Sequence, residues 1–408
     1  MLFLSFGILL VGYFLLVAVH FIPHRSIDKN LRITSEIFMK EGDYPTVFLN
    51  GAFLENFSDA DAFAIIYNKK DSVNPFINAL YAYNYSFPDE HHRVGRGVEA
   101  FQNTITLNLK KSRDYNHTQE WHGFQIYLRP LLMRYNLPDI RLFGYITNFI
   151  LLIIVCLNLA KARNDLFAFL PFFIGYEFFH YSLESMSILL HTDICVMLIG
   201  CLAIILLKDQ FIFAAFLVIG LLAAFFSMFN MPMITVGFPL IVWLMLHETV
   251  DSWIRIKKVI EYSFFWLLGY SIATFSKVFI AACIFKKNVK HILGWYVGIN
   301  DNVSHMKRIE VLKNIIVDIF TRSLLARDLL ILITVSALIY IICSKKYRII
   351  DWRKCIPYLI VALYPCIWVY IVVVHSKLDW TVFIFGISIF AFMQMLYDLS
   401  KRASKKLR

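Results

Sequence analysis

Long unbroken runs of apolar residues constrain the fold of this chain more than any other feature of its sequence. A helix needs about 20 such residues to cross the hydrocarbon core of a bilayer. Because the runs are continuous and not alternating, they predict helices instead of a β-barrel. The expected fold class is an all-α polytopic membrane protein with about ten transmembrane helices. The runs lie at 2–22, 142–160, 166–181, 187–207, 211–228, 231–247, 259–283, 328–343, 357–374 and 380–398.

The composition agrees with a lipid environment. Hydrophobic residues make up 59% of the 408 residues, charged residues make up 17%, and the mean hydropathy is +0.62. One water-soluble core could not bury 38 Phe and 21 Tyr side chains. Much of the net charge of +11 lies in short loops between the runs, so we expect no nucleic-acid partner.

The basic residues of the short loops predict the orientation. If the ten runs alternate across the bilayer, 16 of these residues fall on one side and only Lys377 falls on the other. Lys and Arg concentrate in cytoplasmic loops, so we expect a multi-pass cell-membrane protein with both termini in the cytoplasm. The 16 residues are Lys161, Arg163, Lys208, Arg255, Lys257, Lys258, Lys345, Lys346, Arg348, Arg353, Lys354, Lys401, Arg402, Lys405, Lys406 and Arg408.

This topology divides the chain into six parts. The first run is expected to be a retained span, because no small-residue cleavage site follows it. The parts are a first transmembrane helix (1–22), an extracytoplasmic loop domain with juxtamembrane helices (23–141), a transmembrane bundle (142–283), an extracytoplasmic loop with an amphipathic interfacial helix (284–327), C-terminal transmembrane helices (328–398) and a basic cytoplasmic tail (399–408).

The seven cysteines lie within or at the edge of apolar runs, and none lies in the first outer loop. This distribution indicates no secreted-type disulfide framework, and the cysteine spacing is not that of a metal site. The sequence also has no Walker-type phosphate loop and no Rossmann glycine pattern. We therefore expect no metal, and the identity of any cofactor stays open.

The segment from Glu55 to Phe63 has the pattern of a helix start. Ser58 is the predicted N-cap, and Asp61 would complete a capping box three residues later. Asp59 would then lie in the first turn, where the helix dipole keeps a carboxylate ionised. Such an acid on the outer face is either a structural cap or a general base, with Glu55 as the reserve candidate for the base.

Basic residues in the outer loops are candidate phosphate ligands. Arg93 and Arg96 lie beside glycines, in a stretch that is either a phosphate-binding loop or a solvated turn. Arg129 follows Trp121 and Tyr127 in a predicted interfacial half-helix, where an arginine needs an anion from a lipid headgroup or a substrate. A further basic cluster precedes the predicted amphipathic helix and consists of Lys286, Lys287 and Lys290.

Ionisable residues within or near the spans form a second candidate group. Glu184, His191 and Lys277 fall in the outer half of predicted spans or at their outer boundary, and His375 lies in the last short outer loop. A polar cavity that opens outward would explain this clustering, and so would structural ion pairs.

Four short strings in the outer loops carry a family resemblance. They are Asn56-Phe57-Ser58-Asp59, Trp121-His122-Gly123 with Leu128-Arg129-Pro130-Leu131-Leu132, and His375-Ser376. Together with the large first outer loop ahead of many spans, they resemble the GT-C superfamily of membrane glycosyltransferases. The acid pair at the start of this loop in many GT-C enzymes is missing, since Asp28 stands alone.

The resemblance implies inverting transfer of a sugar from a polyprenyl-phosphate donor to an extracytoplasmic glycan or lipid-linked acceptor. Asp59 or Glu55 would then be the base, and the basic residues named above would hold the donor phosphate. Membrane lipids are further expected partners. The alternatives are a lipid-linked polysaccharide polymerase, a glycolipid flippase or transporter, and a non-catalytic partner of a glycosylation system.

Overall fold

The structure is a computed structural model that describes residues 2–46, 54–68, 73–88, 94–95, 97–107, 113–116, 118–227, 231–286, 288–289, 310, 313–314, 317, 352–371 and 384–405. Helices dominate this part of the chain, as the apolar runs predict. The predicted span 328–343 lies outside the described residues. So do the apolar residues that predict the amphipathic helix within 284–327, namely Ile309, Leu312, Ile315, Ile316, Ile319 and Phe320.

The first apolar helix leads into residues 23–141, which we call the outer loop after their predicted location, and the helices of this segment have an apolar core of their own. Phe38, Phe63 and Phe101 meet there, with ring centroids 5.6 to 6.2 Å apart, and tie three loop helices together. The helices of this part are α1 (Leu2–Val19), α2 (Asp28–Glu41), α3 (Asn56–Tyr67), α4 (Pro75–Asn78), α5 (Val98–Ile105) and α6 (Gln125–Leu132).

A small antiparallel sheet accompanies these helices, and it was not predicted from the sequence. Strand β1 (Tyr83–Pro88) lies between β2 (Val94–Gly95) and β3 (Arg113–Asn116). A signal was present, because aromatic and polar residues alternate from Tyr83 to Phe87 with the two-residue period of a strand. The loop therefore combines helices with a short sheet.

Four helices of the described residues are long and apolar enough to cross a membrane. They lie at Leu137–Arg163, Ile188–Leu206, Asp209–Phe226 and Ser252–Phe285, and shorter apolar helices lie at Phe3–Val19, Ile234–Leu246 and Gly386–Leu399. All seven coincide with predicted spans, whereas the total of about ten spans and the orientation stay predictions. The helices after the outer loop are α7 (Leu137–Arg163), α8 (Leu170–Glu177), α9 (Tyr181–Glu184), α10 (Ile188–Leu206), α11 (Ile212–Phe226), α12 (Ile234–Leu246), α13 (Ser252–Phe285), α14 (Ile356–Ala362), α15 (Tyr364–Ile371) and α16 (Gly386–Lys405).

The third predicted span differs from the structure. The sequence predicts one helix at 166–181, but α8 ends at Glu177 and α9 begins at Tyr181. Between them, His180 adopts a left-handed backbone conformation with φ of 55°, which a continuous right-handed helix cannot include. This region is therefore two short helices joined by a turn.

Two glycines allow α11 and α13 to pack backbone against backbone. A Cβ atom at Gly220 would overlap the carbonyl of Trp266, and one at Gly269 would overlap the carbonyl of Leu217. Small residues permit such close approach between membrane helices. Next to this contact, α12 is buried from Ile234 to Met245 and forms the centre of the bundle.

Candidate functional site

Asp59 joins the outer loop to the membrane bundle. It is completely buried, and its carboxylate accepts hydrogen bonds from the backbone N–H groups of Ile188 (2.8 Å) and Leu189 (3.1 Å). These are the first two residues of α10, where unpaired N–H groups and the helix dipole favour an anion. Asp59 therefore caps α10, a helix from a distant part of the sequence.

The predicted capping box at Ser58 and Asp61 is wrong. Helix α3 begins at Asn56, and the N-cap is Glu55, whose Oε1 accepts hydrogen bonds from the backbone N–H (3.3 Å) and Oγ (2.8 Å) of Ser58. The backbone N–H of Glu55 donates to Ser187 Oγ at 2.8 Å. The sequence pointed to Ser58 because serine is a far more frequent cap than glutamate.

Arg141 supplies the positive charge near Asp59. Its guanidinium donates two hydrogen bonds of 2.8 Å to the carboxylate of Glu41 and one of 2.7 Å to Asn56 Oδ1. Burial raises the pKa of Glu41, but the hydrogen bonds and charge of Arg141 outweigh that effect and lower it. Hydrogen bonds of these polar residues thus attach the outer loop to α7 and α10. The residues are Glu41, Asn56, Asp59, Arg141 and Ser187.

The charge of Asp59 changes near neutral pH. Burial raises its pKa from 3.8 to about 7, against the opposing effects of the Ile188 and Leu189 N–H groups and of Arg141. Because the folded state holds this proton more tightly than the unfolded chain, the contribution of Asp59 to stability decreases as the pH rises from 3.8 to about 7. Such a pKa suits a base, but both carboxylate oxygens are already engaged with α10, which favours the cap.

Arg129 is a structural link and not an exposed phosphate ligand. Its side chain is fully buried, and its guanidinium donates to the backbone carbonyls of Val19 (3.1 Å), Ile66 (3.3 Å) and Ile22 (3.4 Å). It thereby joins α6 to the ends of α1 and α3. This geometry argues against the predicted contact between Arg129 and a donor phosphate.

The two aromatic residues predicted beside Arg129 also pack within the protein, where Trp121 is buried and Tyr127 is half-buried. Trp121 is 4% exposed, and its indole N–H donates to the carbonyl of Ala273 in α13 (2.7 Å). The hydroxyl of Tyr127 donates to the carbonyl of Ile188 (3.0 Å). The segment predicted to lie in the membrane interface is therefore packed between the outer loop and the bundle.

Buried polar residues link α7, α9 and α10. Asn148 Nδ2 lies 3.0 Å from Ser185 Oγ and 3.0 Å from His191 Nδ1, and the His191 ring packs edge-on against Tyr127. Glu184, at the end of α9, is buried too. His191 thus lies in a closely packed interior where it contacts Asn148 and Tyr127, and Glu184 is buried at the end of α9.

Several predicted site residues lie outside the described part of the chain. Of the basic cluster, the structure describes Lys286, which is exposed and follows directly after α13. The predicted site residues that lie outside the described part are Arg93, Arg96, Lys287, Lys290 and His375.

An apolar groove of about 720 Å³ lies between α1 and α13. It opens at the surface of these helices, since Phe6 and Phe279 in its lining are 58% and 69% exposed. We call it the α1/α13 groove. Its lining consists of Phe6, Leu9, Leu10 and Tyr13 of α1, Ile272, Phe275, Ser276, Phe279, Ile280 and Ile284 of α13, and Leu80 and Trp121 of the outer loop.

The few polar side chains of the groove lining are bonded to backbone carbonyls. Tyr13 donates to Phe76 (3.1 Å), and Trp121 and Ser276 both donate to Ala273 (2.7 and 2.8 Å). The lining therefore presents hydrocarbon to a ligand. Nothing in the sequence indicates which two of the apolar helices form this groove.

Lys277 and Glu120 are buried beside this groove. Lys277 is 1% exposed, and its Nζ donates to the carbonyl of Leu80 at 2.6 Å. Glu120, which directly precedes Trp121 in the chain, is 6% exposed and acts electrostatically on Lys277. Glu120 is not among the site residues predicted from the sequence, although its position next to the Trp121-His122-Gly123 string was a signal.

The chain was also compared with known proteins. No protein-family model, no curated protein and no solved structure matches it.

Proposed function

We propose that the protein is a membrane glycosyltransferase that transfers a sugar from a polyprenyl-phosphate donor to an extracytoplasmic glycan or lipid-linked acceptor, with inversion at the anomeric carbon. The observation that carries this proposal is the α1/α13 groove, which two apolar helices and the outer loop build together. The resemblance to GT-C enzymes supports sugar transfer as the reaction.

The shape and chemistry of the groove suit one hydrocarbon chain. Ligand cavities commonly measure about 300–1,000 Å³, and the groove falls within this range with an almost wholly apolar lining. A lipid chain would enter it sideways from the bilayer. The outer loop contributes Leu80 and Trp121 to the wall of the groove. A bound chain therefore contacts the segment in which we expect sugar transfer to take place.

Lys286 is well placed for the phosphate of such a lipid. It is exposed and follows Ile284, which lines the groove, by two residues. An exposed ammonium group at the end of an apolar site can contact the phosphate while the chain stays in the groove. The proposal therefore keeps the predicted role of Lys286 and assigns none to Arg129.

The proposed reaction needs a carboxylate. The acceptor hydroxyl attacks the anomeric carbon, the bond from that carbon to the phosphate oxygen breaks with its electron pair leaving on the phosphate, and the carboxylate takes the hydroxyl proton. Both carboxylate oxygens of Asp59 accept hydrogen bonds from α10, and the Glu55 carboxylate accepts hydrogen bonds from Ser58 as the N-cap of α3. Glu120 adjoins Trp121 of the groove wall, and we propose it as the base.

Blocking the groove is expected to reduce sugar transfer. Ile284→Trp places a large ring in the groove, whereas Leu267→Trp is a matched control on the same helix, outside the groove lining. The two replaced residues are 50% and 54% exposed, respectively. We expect Ile284→Trp to lower transfer by about tenfold to a hundredfold, because crowding a formed site costs about 1–3 kcal/mol.

The measurement uses purified protein in proteoliposomes, a panel of polyprenyl-phosphate sugars, and membrane extract as the source of acceptor. Release of polyprenyl phosphate and incorporation of label into glycan are followed together. Equal transfer by both variants would reject the groove as the donor site. Movement of labelled donor across the bilayer without release of polyprenyl phosphate would favour the flippase alternative.

A further inference from the structure

Lys277 contacts two residues of the outer loop that form part of the groove wall. Its Nζ bonds to the Leu80 carbonyl at 2.6 Å and lies 5.1 Å from the centre of the Trp121 ring. Leu80 and Trp121 both line the groove, whereas the lining does not include Lys277. The ammonium group therefore lies behind the wall, in contact with the wall and not with the space for a chain.

Helix α13 holds the Trp121 ring at two points. The carbonyl of Ala273 accepts the indole N–H at 2.7 Å, and Lys277, four residues later on the same helix, lies over the ring face. A hydrogen bond at the edge and a cation at the face together set the position and tilt of an indole. The wall at Trp121 is thus fixed by α13.

The charge of Lys277 has partners on the outer loop. The side chain is 1% exposed, and a buried ammonium group is costly unless polar or charged groups surround it. Leu80 supplies a carbonyl, Trp121 supplies a ring face, and Glu120 supplies an opposite charge that acts on Lys277. All three residues belong to the outer loop, whereas Lys277 belongs to a membrane helix.

We propose that Lys277 is a positioning residue, which holds Leu80 and Trp121 as the wall of the groove and so couples the binding of a hydrocarbon chain to the placement of the outer loop. This inference rests on the proposed function, in which the groove binds the donor chain. Lys277 then acts through the wall and makes no contact with the donor phosphate. The sequence predicted that Lys277 lines a polar cavity that opens outward, and the positioning role replaces that prediction.

Two lipid probes separate this role from direct phosphate binding. A long-chain polyprenol has the chain without a charge, and the matching polyprenyl monophosphate has both. Because Lys277 shapes the wall, Lys277→Met is expected to weaken the binding of both probes by the same factor, on the order of tenfold. Binding is measured in nanodiscs by competition with a photoactivatable polyprenol.

Fluorine NMR of fluorotryptophan-labelled protein reports on the wall itself. The chain has eight tryptophans, and the resonance of Trp121 is identified by its loss in Trp121→Phe. We expect Lys277→Met to shift this resonance in lipid-free protein. Lys277→Gln keeps an N–H donor for the Leu80 carbonyl, so we expect it to weaken binding less than Lys277→Met does.

Lys258→Met is the matched control. Lys258 lies on the same helix with its Nζ 5.5 Å from the ring centre of Tyr262, but neither residue lines the groove. The Lys258→Met variant should change neither the affinity for the two lipid probes nor the Trp121 resonance. Loss of phosphate binding alone in Lys277→Met would show direct contact with the phosphate and overturn the inference, and so would unchanged affinity for both probes.

The same experiment distinguishes failure of the proposed function from failure of this inference. If the unmodified protein binds neither probe, the groove is not a site for lipid chains and the proposed function fails. The Trp121 resonance in lipid-free protein still tests the contact, and an unshifted resonance in Lys277→Met would overturn the inference by itself.

Discussion

Gly269→Leu is expected to prevent the bundle from folding. A Cβ atom at Gly269 would overlap the Leu217 carbonyl, and backbone atoms cannot move aside as a flexible side chain can. Overpacking of ordinary cores costs about 1–3 kcal/mol, and we expect a larger loss here because α11 and α13 would have to separate. The measurement is thermal unfolding in detergent, together with the yield of monodisperse protein.

Gly7→Leu is the control for this substitution. Gly7 lies on α1, where a Cβ atom would meet nothing within 4 Å. The variant should be produced and should melt like the unmodified protein. If Gly269→Leu melted at the same temperature as Gly7→Leu, the close contact between α11 and α13 would be refuted.

Arg129→Ala is expected to have the second-largest effect on stability. The substitution removes hydrogen bonds to three backbone carbonyls, those of Val19, Ile22 and Ile66, and leaves a cavity where the guanidinium was buried. A buried acceptor that loses its donor costs about 1–3 kcal/mol. Because the Val19 carbonyl keeps a hydrogen bond from the Ile22 N–H and the Ile22 carbonyl is only partly buried, we expect a total loss of about 3–5 kcal/mol. Unfolding by denaturant in mild detergent measures this loss.

Arg134→Ala separates the structural role of Arg129 from a phosphate-binding role. Arg134 is exposed and lies just after α6, so its removal should change stability by no more than about 0.5 kcal/mol. If Arg129→Ala kept normal stability but lost affinity for polyprenyl phosphate, Arg129 would be the phosphate ligand that the sequence first predicted.

The membrane helices could be predicted because lipid imposes a simple rule on sequence. A span must satisfy its backbone within one helix, so length and apolar character identify α7, α10 and α13 directly. The rule fails where the backbone departs from a helix inside an apolar run. Nothing in the sequence near His180 indicates a left-handed residue, and the third predicted span is consequently divided.

The candidate site was less predictable because its contacts join distant parts of the chain. The sequence identified Asp59 as an acid at a helix start, but the helix that it caps begins at Ile188, 129 residues away. It identified Arg129 as a cation near the membrane but could not show the three carbonyls that receive its hydrogen bonds. Residue type indicates which groups need partners, and only the packing shows which partners they find.

Photo-crosslinking with a polyprenyl phosphate that carries a diazirine on its chain tests the central claim most directly. Labelled peptides of the purified protein are mapped by mass spectrometry, with and without an excess of unlabelled polyprenyl phosphate. The α1/α13 groove predicts competed labelling at Phe6–Tyr13 of α1 and Ile272–Ile284 of α13. Labelling that is not competed and spreads equally to other exposed helix faces, such as those of Phe149 and Phe264, would contradict a specific lipid site in the groove.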